Sequence, residues 1–234
     1  MAQKTVDLPG IGSVILAKRR GTRNLRLSVK PNGQVRVGMP AWAPYSAGIK
    51  FALQRSDWII SHLGKTRPIV LKEGQRIGKS YRLGFVSVSR PPKTSTRLGQ
   101  NSITVTSYLP FDDPDVQSKA ARACERALKT EAQKLLKQRL DQIAKAKDFT
   151  YKELRIKRLT SRWGSCSNDG RITLSYFLTQ LPWHLIDYVI VHELIHTRHL
   201  NHSRDFWELF EKVLPGAKYL RKEIKLYDPV LLPD

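Results

Sequence analysis

Cysteine is scarce in this 234-residue chain. Its two thiols, Cys124 and Cys166, stand alone with no C-x-x-C spacing, which argues against a disulfide framework and reads as two reduced side chains. Long apolar runs are missing too: none approaches the ~18 residues that a membrane-crossing helix needs. The opening MAQKTVDLPG lacks the apolar stretch of a secretory signal. These absences predict a soluble, cytoplasmic protein with no membrane partner. No G-x-x-x-x-G-K-[ST] loop occurs, so any nucleotide would have to be held by side chains. Acidic residues are few, 20 against 41 Lys/Arg, for a net charge of +21. The shortage is uneven: residues 1–110 carry 19 Lys/Arg and 3 Asp/Glu, residues 111–234 carry 22 and 17. A half this basic attracts polyanions such as nucleic acid or nucleotides, and the same charge also serves as a solvated surface.

What is present has the periodicity of an α+β protein. The runs VILAKRR, LRLSVKP and QVRVGMP within 14–40 alternate apolar and basic residues, as half-buried strands do, and Pro31-Asn32-Gly33 predicts a hairpin between the second and third. Residues 44–63 have near-helical apolar spacing, with Gly64 placed to end the helix. RIGKSYRLGFVSVS and SITVTSYLP read as strands separated by the turn-rich RPPKTSTRLGQN. Residues 114–147 contain no glycine and begin at Pro114, which predicts one long helix with Asp112, Asp113 and Asp115 at its positive end. ELRIKRLT and RITLSYFL are the next strands, joined by SRWGSCSNDG; helices follow in LPWHLIDYVIVHELIHTRHL, SRDFWELFEKVL and KYLRKEIKLY. The chain shows no internal sequence repeat. Its domains divide as a basic β-rich module over 1–110 and a mostly helical domain over 111–234.

Histidine is also rare, yet four of the six fall in VHELIHTRHLNHSRDFW, at 192, 196, 199 and 202. His192 and His196, four apart on a helix, share a face and can reach one ion at ~2.0–2.1 Å. Glu193 sits ~100° round the helix, where it can reach a water on the metal without binding the metal itself. At this chain's frequencies of 6 His and 8 Glu, an H-E-x-x-H arises by chance roughly once in 200 such chains. A catalytic zinc needs a third protein ligand. His202 supplies it ten residues after His192, the offset of the metzincin pattern, although His199 stands where that pattern has glycine. Asn201 is then the candidate for a left-handed helix end, Glu208 and Glu211 are substitute ligands, and His199 is an exposed bystander.

The stretch RWGSCSNDGRITLSYFLTQLPWHLIDYVIVHELIHTRHLNHSRDFW resembles the YgjP-like metallopeptidase family in its R-W-G-S-C turn, its Pro-led helix with Y-V-I-V-H-E-L-x-H, and its N-H-S and F-W. The close match covers about 160–215, and RRGTRNLRLSVKPNGQVRVGMP resembles that family's basic β-region. One departure is Ser175, where the family's strand usually has Asn. The resemblance implies a zincin-like catalytic domain with a small flanking sheet, Zn2+ on His192, His196 and His202, and Glu193 as catalytic base.

The expected function is therefore a zinc-dependent metallohydrolase, foremost a metallopeptidase acting on polypeptide through a zinc-bound water activated by Glu193. The same apparatus can attack phosphorus, so a metal-dependent nucleoside-triphosphate pyrophosphatase, a role given to some family members, stands as an alternative. A nucleic-acid-associated protease or binding module, suggested by distantly similar SprT-like proteins, is another. Arg162 or Tyr176 is a candidate to help stabilise the oxyanion, with a packed turn the favoured alternative for Arg162. Asp205 either orients a ligand histidine or lies at the surface. Cys166 is expected to be buried, and Phe206 and Trp207 to press the third-ligand loop onto the zinc helix.

Overall fold

The computed structural model describes residues 2–29, 33–65, 70–90 and 94–231. It is an α+β protein in two compact units, Met1–Ile69 and Val70–Asp234. No helix among the described residues is long and apolar enough to cross a membrane.

The first unit is a four-stranded sheet with two helices. Strands β1 (Gln3–Leu8), β2 (Gly12–Arg19), β3 (Arg26–Val29) and β4 (Val35–Pro40) lie in the order β1-β2-β4-β3. β1–β2 and β4–β3 are antiparallel, while β2–β4 is parallel. The alternation read from the sequence decides the faces. Leu16, Val37 and Leu27 are cross-strand partners on one side, where Val14, Val35 and Met39 are also buried. Helices α1 (Tyr45–Leu53) and α2 (Ser56–Lys65) complete that core through Ala52 and Ile59. Gly48 permits the approach of α1: a Cβ there would meet Leu16 at 3.2 Å and Met39 Sδ at 3.3 Å. The single helix expected over 44–63 is broken at Gln54–Arg55, where the Arg55 amide bonds to the Ala52 carbonyl, one residue short of its α-helical partner. β3 and β4 pair as the predicted hairpin, whose turn at Pro31-Asn32 lies outside the described residues.

The second unit opens with a sheet of the same design. Strands β5 (Arg76–Ile77), β6 (Tyr81–Ser87), β7 (Ser95–Leu98) and β8 (Ser102–Ser107) lie in the order β5-β6-β8-β7, again antiparallel, parallel, antiparallel. A duplicated strand plan thus exists without a legible sequence repeat. β7 falls inside the stretch read as turn. This sheet packs on α3 (Pro114–Ala146), and both belong to the compact unit Val70–Asp234. Buried Glu131 of α3 ties the two together: its carboxylate accepts the amides of Lys79 and Ser80, at 2.7 Å for Ser80. α3 starts where predicted, with Asp113 Oδ1 accepting from Asp115 N at 2.9 Å, a cap worth ~1 kcal/mol. Its apolar stripe, including Ala120, Ala127, Leu136 and Leu140, is fully buried.

The third sheet flanks the site. β9 (Glu153–Lys157) runs parallel to β11 (Arg171–Ser175), and the short β10 (Gly164–Cys166) is antiparallel to β11 at the edge. β11 leads through a 3-10 turn, Tyr176–Gln180, to α4 (Trp183–Ile195), then α5 (Arg204–Val213) and α6 (Ala217–Glu223).

Candidate metal centre

α4 is apolar nearly all round. Leu185, Ile186, Ile190, Leu194 and Ile195 are fully buried, which fixes the helix from several sides. A helix so anchored holds His192 and His196 still, as a metal site requires. It ends sooner than its apolar pattern suggested. The amides of Thr197 and Arg198 bond back to Leu194 and Ile195, and the Thr197 hydroxyl donates to Leu194 O at 2.7 Å. This tight turn reverses the chain. Among the described residues only Asp148 has positive φ without being glycine, so Asn201 does not take the expected left-handed conformation. Ser203 caps α5 by accepting from Phe206 N, which leaves His202 at the point of return.

The turn brings three imidazoles together. His192 Nε2 is 3.1 Å from His196 Nε2 and 3.1 Å from His202 Nε2, and one ring nitrogen of each lies within 4.8 Å of the others. His196 Nδ1 is 2.9 Å from the His199 carbonyl; donating there leaves the Nε2 lone pair facing the cluster. Burial, with the neighbouring His196, His202 and Arg221, pushes His192 down to about 3, so its ring is neutral. His202 is lowered as well, first by burial. Imidazole nitrogens crowded this closely are what a cation relieves, whichever tautomer each ring adopts. Ligands ~2.0–2.1 Å from a tetrahedral ion stand ~3.3 Å apart, close to the separations here. The donor set therefore fits a divalent metal of borderline softness.

Phe206 is the floor of this cluster. Its ring lies 5.1, 4.8 and 4.7 Å from those of His192, His196 and His202, and it is fully buried. Trp207 stacks against His202 at 6.2 Å, and the Arg221 guanidinium covers it at 4.8 Å. Both aromatic residues thus hold the returning loop against α4, as their positions suggested.

Glu193 faces the other side of the opening. It is 4% exposed, and Oε2 has no hydrogen-bond partner among the described residues. Burial raises its carboxyl to about 8, with the Arg162 guanidinium pulling the other way. The backbone of β10 lies against it: a Cβ on Gly164 would sit 2.6 Å from Glu193 Oε1. A cavity of about 250 Å³ opens here, lined by His192, Glu193, Gly164, Arg162 and Tyr188 among others. Tyr188 escaped the sequence reading, although it precedes His192 by four residues and so shares its helix face.

Other expected roles go elsewhere. The Tyr176 hydroxyl donates to Glu125 Oε2 at 2.6 Å and does not line the cavity, so Tyr176 is no oxyanion donor. Asp205 is exposed and takes no part in holding a histidine. Glu211 accepts the amides of Gly216 and Lys218, and Glu208 pairs with Arg204, so neither substitutes for His202. Cys166 is half-buried, its thiol raised to about 11 chiefly by burial. His199 is half-buried rather than exposed. Ser175 is buried and braces the segment before β10: its hydroxyl donates to Leu159 O at 2.9 Å, and its amide donates to Trp163 O at 2.8 Å.

No curated protein matches the chain significantly. Among solved structures it is similar to the metallopeptidase zymogen abylysin of Pyrococcus abyssi, with 28% identity over 39% of this chain and 93% of that one and a TM-score of 0.36. The YgjP-like, metallopeptidase domain family matches residues 23–227, a span that includes the three clustered histidines, Glu193 and Gly164. Over nearly its whole length, then, the chain belongs to the YgjP-like metallopeptidase family.

Proposed function

We propose that the protein is a zinc-dependent peptidase in which His192, His196 and His202 hold the ion and Glu193 is the general base. The observation that carries this reading is the convergence of three Nε2 atoms, 3.1 Å apart at their nearest, with His192 of that cluster lining one cavity together with the buried Glu193. Three histidine nitrogens with room for a further ligand are the usual surroundings of a catalytic zinc. When bound, the ion supplies Lewis acidity to the attacking water and to the carbonyl under attack.

The chain's own residues supply the rest. Glu193 Oε2, without a hydrogen-bond partner among the described residues, takes the proton from the attacking water and passes it to the departing amine. Burial raises this carboxyl, which suits it to giving that proton back, while the Arg162 guanidinium favours the ionised form that accepts it. Arg162 and the Tyr188 hydroxyl are the cavity's donors for the developing oxyanion. β10 pairs with β11 on one side only, and an extended substrate adds to its other edge beside Glu193.

A nucleoside-triphosphate hydrolase would need several cations around the phosphates. Among the residues lining the cavity Arg162 is the sole one, which favours the peptidase. The test offers zinc-loaded protein unfolded polypeptide and a nucleoside-triphosphate panel side by side, with Glu193→Ala as blank. Glu193-dependent peptide cleavage supports the proposal; Glu193-dependent pyrophosphate release without cleavage overturns it.

A further inference from the structure

The first unit carries its charge differently from the second. Residues 1–69 hold 12 Lys/Arg and 2 Asp/Glu, Asp7 and Asp57. Every ion pair among the described residues joins side chains between Glu125 and Glu223, all in the second unit. The arginines in and beside the first sheet have no such partners among the described residues. Arg19, Arg20, Arg23, Arg26 and Arg36 form neither ion pair nor side-chain hydrogen bond among the described residues. Unneutralised cations this close repel one another, a standing cost that an anionic ligand removes.

They are also arranged. Helices α1 and α2 complete the core on the Leu16–Val37–Leu27 face of the sheet. The opposite face carries Ala17, Gly38 and Arg26 in one cross-strand row, with Arg36 and Ser28 paired beside it. Small residues at Gly38 and Ser28 leave a floor, and arginines line the groove around it. The groove has a volume of about 620 Å³ and is lined by Arg19, Arg23, Arg26 and Arg36. A second groove of about 620 Å³, lined by Arg20, Lys18 and Ala41, shares Arg19 with the first. Neighbouring strands lie ~4.8 Å apart, so the cations step across the sheet instead of converging on one point. A lone triphosphate calls for convergent donors, whereas a track of cations suits a repeating phosphodiester. Beyond Ala41 stands Trp42, 78% exposed, a flat apolar surface on which an unpaired base can stack.

We propose that the open face of the first sheet binds single-stranded nucleic acid, with Arg19, Arg23, Arg26 and Arg36 on the phosphates and Trp42 under a base. The contacts are to backbone and base face, so binding is largely indifferent to sequence.

The test is fluorescence anisotropy of unstructured oligodeoxy- and oligoribonucleotides with the full-length protein over a salt series. Affinity should fall linearly on logarithmic axes. Arg26→Glu with Arg36→Glu should lower affinity about tenfold or more and reduce the salt slope by roughly 1.4, the share of two single-strand phosphate contacts. Trp42→Ala should weaken binding about fivefold or more with the slope unchanged. Lys134→Glu with Lys145→Glu on α3 makes the same net-charge change and should leave affinity within about twofold. Circular dichroism checks each variant's fold, and Arg26→Gln with Arg36→Gln replaces the reversal if it unfolds. Which oligonucleotide binds more tightly identifies the source of the phosphodiester. The proposal is overturned by no binding at the lowest salt, by equal loss in the α3 control, by full displacement with a nucleoside triphosphate at equal concentration, or by arginine-dependent binding to anionic phospholipid vesicles alone.

Discussion

Gly164 lies so close to Glu193 that a single added methyl would overlap the carboxylate, with Cβ 2.6 Å from Oε1 and 2.9 Å from Cδ. An edge strand and a helix thus meet across a position with no side chain, and the carboxylate is wedged between them. Gly164→Ala must push Glu193 aside, because β10 is held to β11 and α4 is packed on several faces. A displacement near 1 Å at a catalytic group costs on the order of 100-fold in rate. Peptide turnover should fall by about that factor while metal content, set by histidines on the other side, stays at the wild-type level.

Phe206 supports all three histidine rings at once. Phe206→Ala should destabilise the protein by ~3–5 kcal/mol, as expected for a fully buried aromatic, and should also weaken metal binding. Denaturant titration gives the first quantity and competition with a chelating indicator the second. Phe206→Leu retains most of the volume and should keep the fold while still loosening the ligands.

On the proposed ligand set a metal would be held by both the helix and the returning loop, and binding it would stabilise the folded state. At a free zinc concentration one hundred times its Kd, the gain is ~2.7 kcal/mol. Chelation should therefore lower the Tm of the wild-type protein. His202→Ala should lose most of that chelator-sensitive shift, because His202 alone of the three sits beyond the turn. An unchanged shift in this variant would remove His202 from the ligand set.

The Glu125–Arg158–Tyr176 cluster makes an acid-sensitive contribution away from the metal. Burial alone would raise the Glu125 carboxyl, but hydrogen bonds from Arg158 and Tyr176 outweigh it and hold the group below its ordinary value. A folded-state value below the unfolded one gives stability present above the unfolded carboxylate range, ~4.3, and lost as pH falls through the lowered value. Wild type should melt above Glu125→Gln near pH 6, with the gap closing below about pH 4. Thermal melts across that range check it.

The sequence was most informative where local pattern carries the physics. Pro114 and Asp113 mark the start of α3 by themselves, and the spacing of His192, His196 and His202 survives folding as a cluster. Legibility failed where pairing is non-local. β7 and β10 are short edge strands whose existence depends on β8 and β11, so nothing in STRL or GSC announces them. Tyr176 looked available for catalysis until α3 brought Glu125 to its hydroxyl, 51 residues away in sequence. The role of Gly164 was similarly hidden, since a glycine in a turn-like stretch gives no hint of which side chain will lie against it. Charge changes near 110, while the compact units divide at 69/70, because packing is decided by α3 and the buried Glu131.

The most direct test is peptide turnover by zinc-loaded Glu193→Gln, with bound metal measured in the same samples. Glutamine keeps the shape of the side chain and removes its capacity to accept the water's proton. The account predicts wild-type zinc content with turnover reduced by ~10²–10⁴-fold, the usual contribution of a general base. Unchanged turnover would contradict the role given to Glu193, and loss of zinc together with activity would make it a ligand instead of a base.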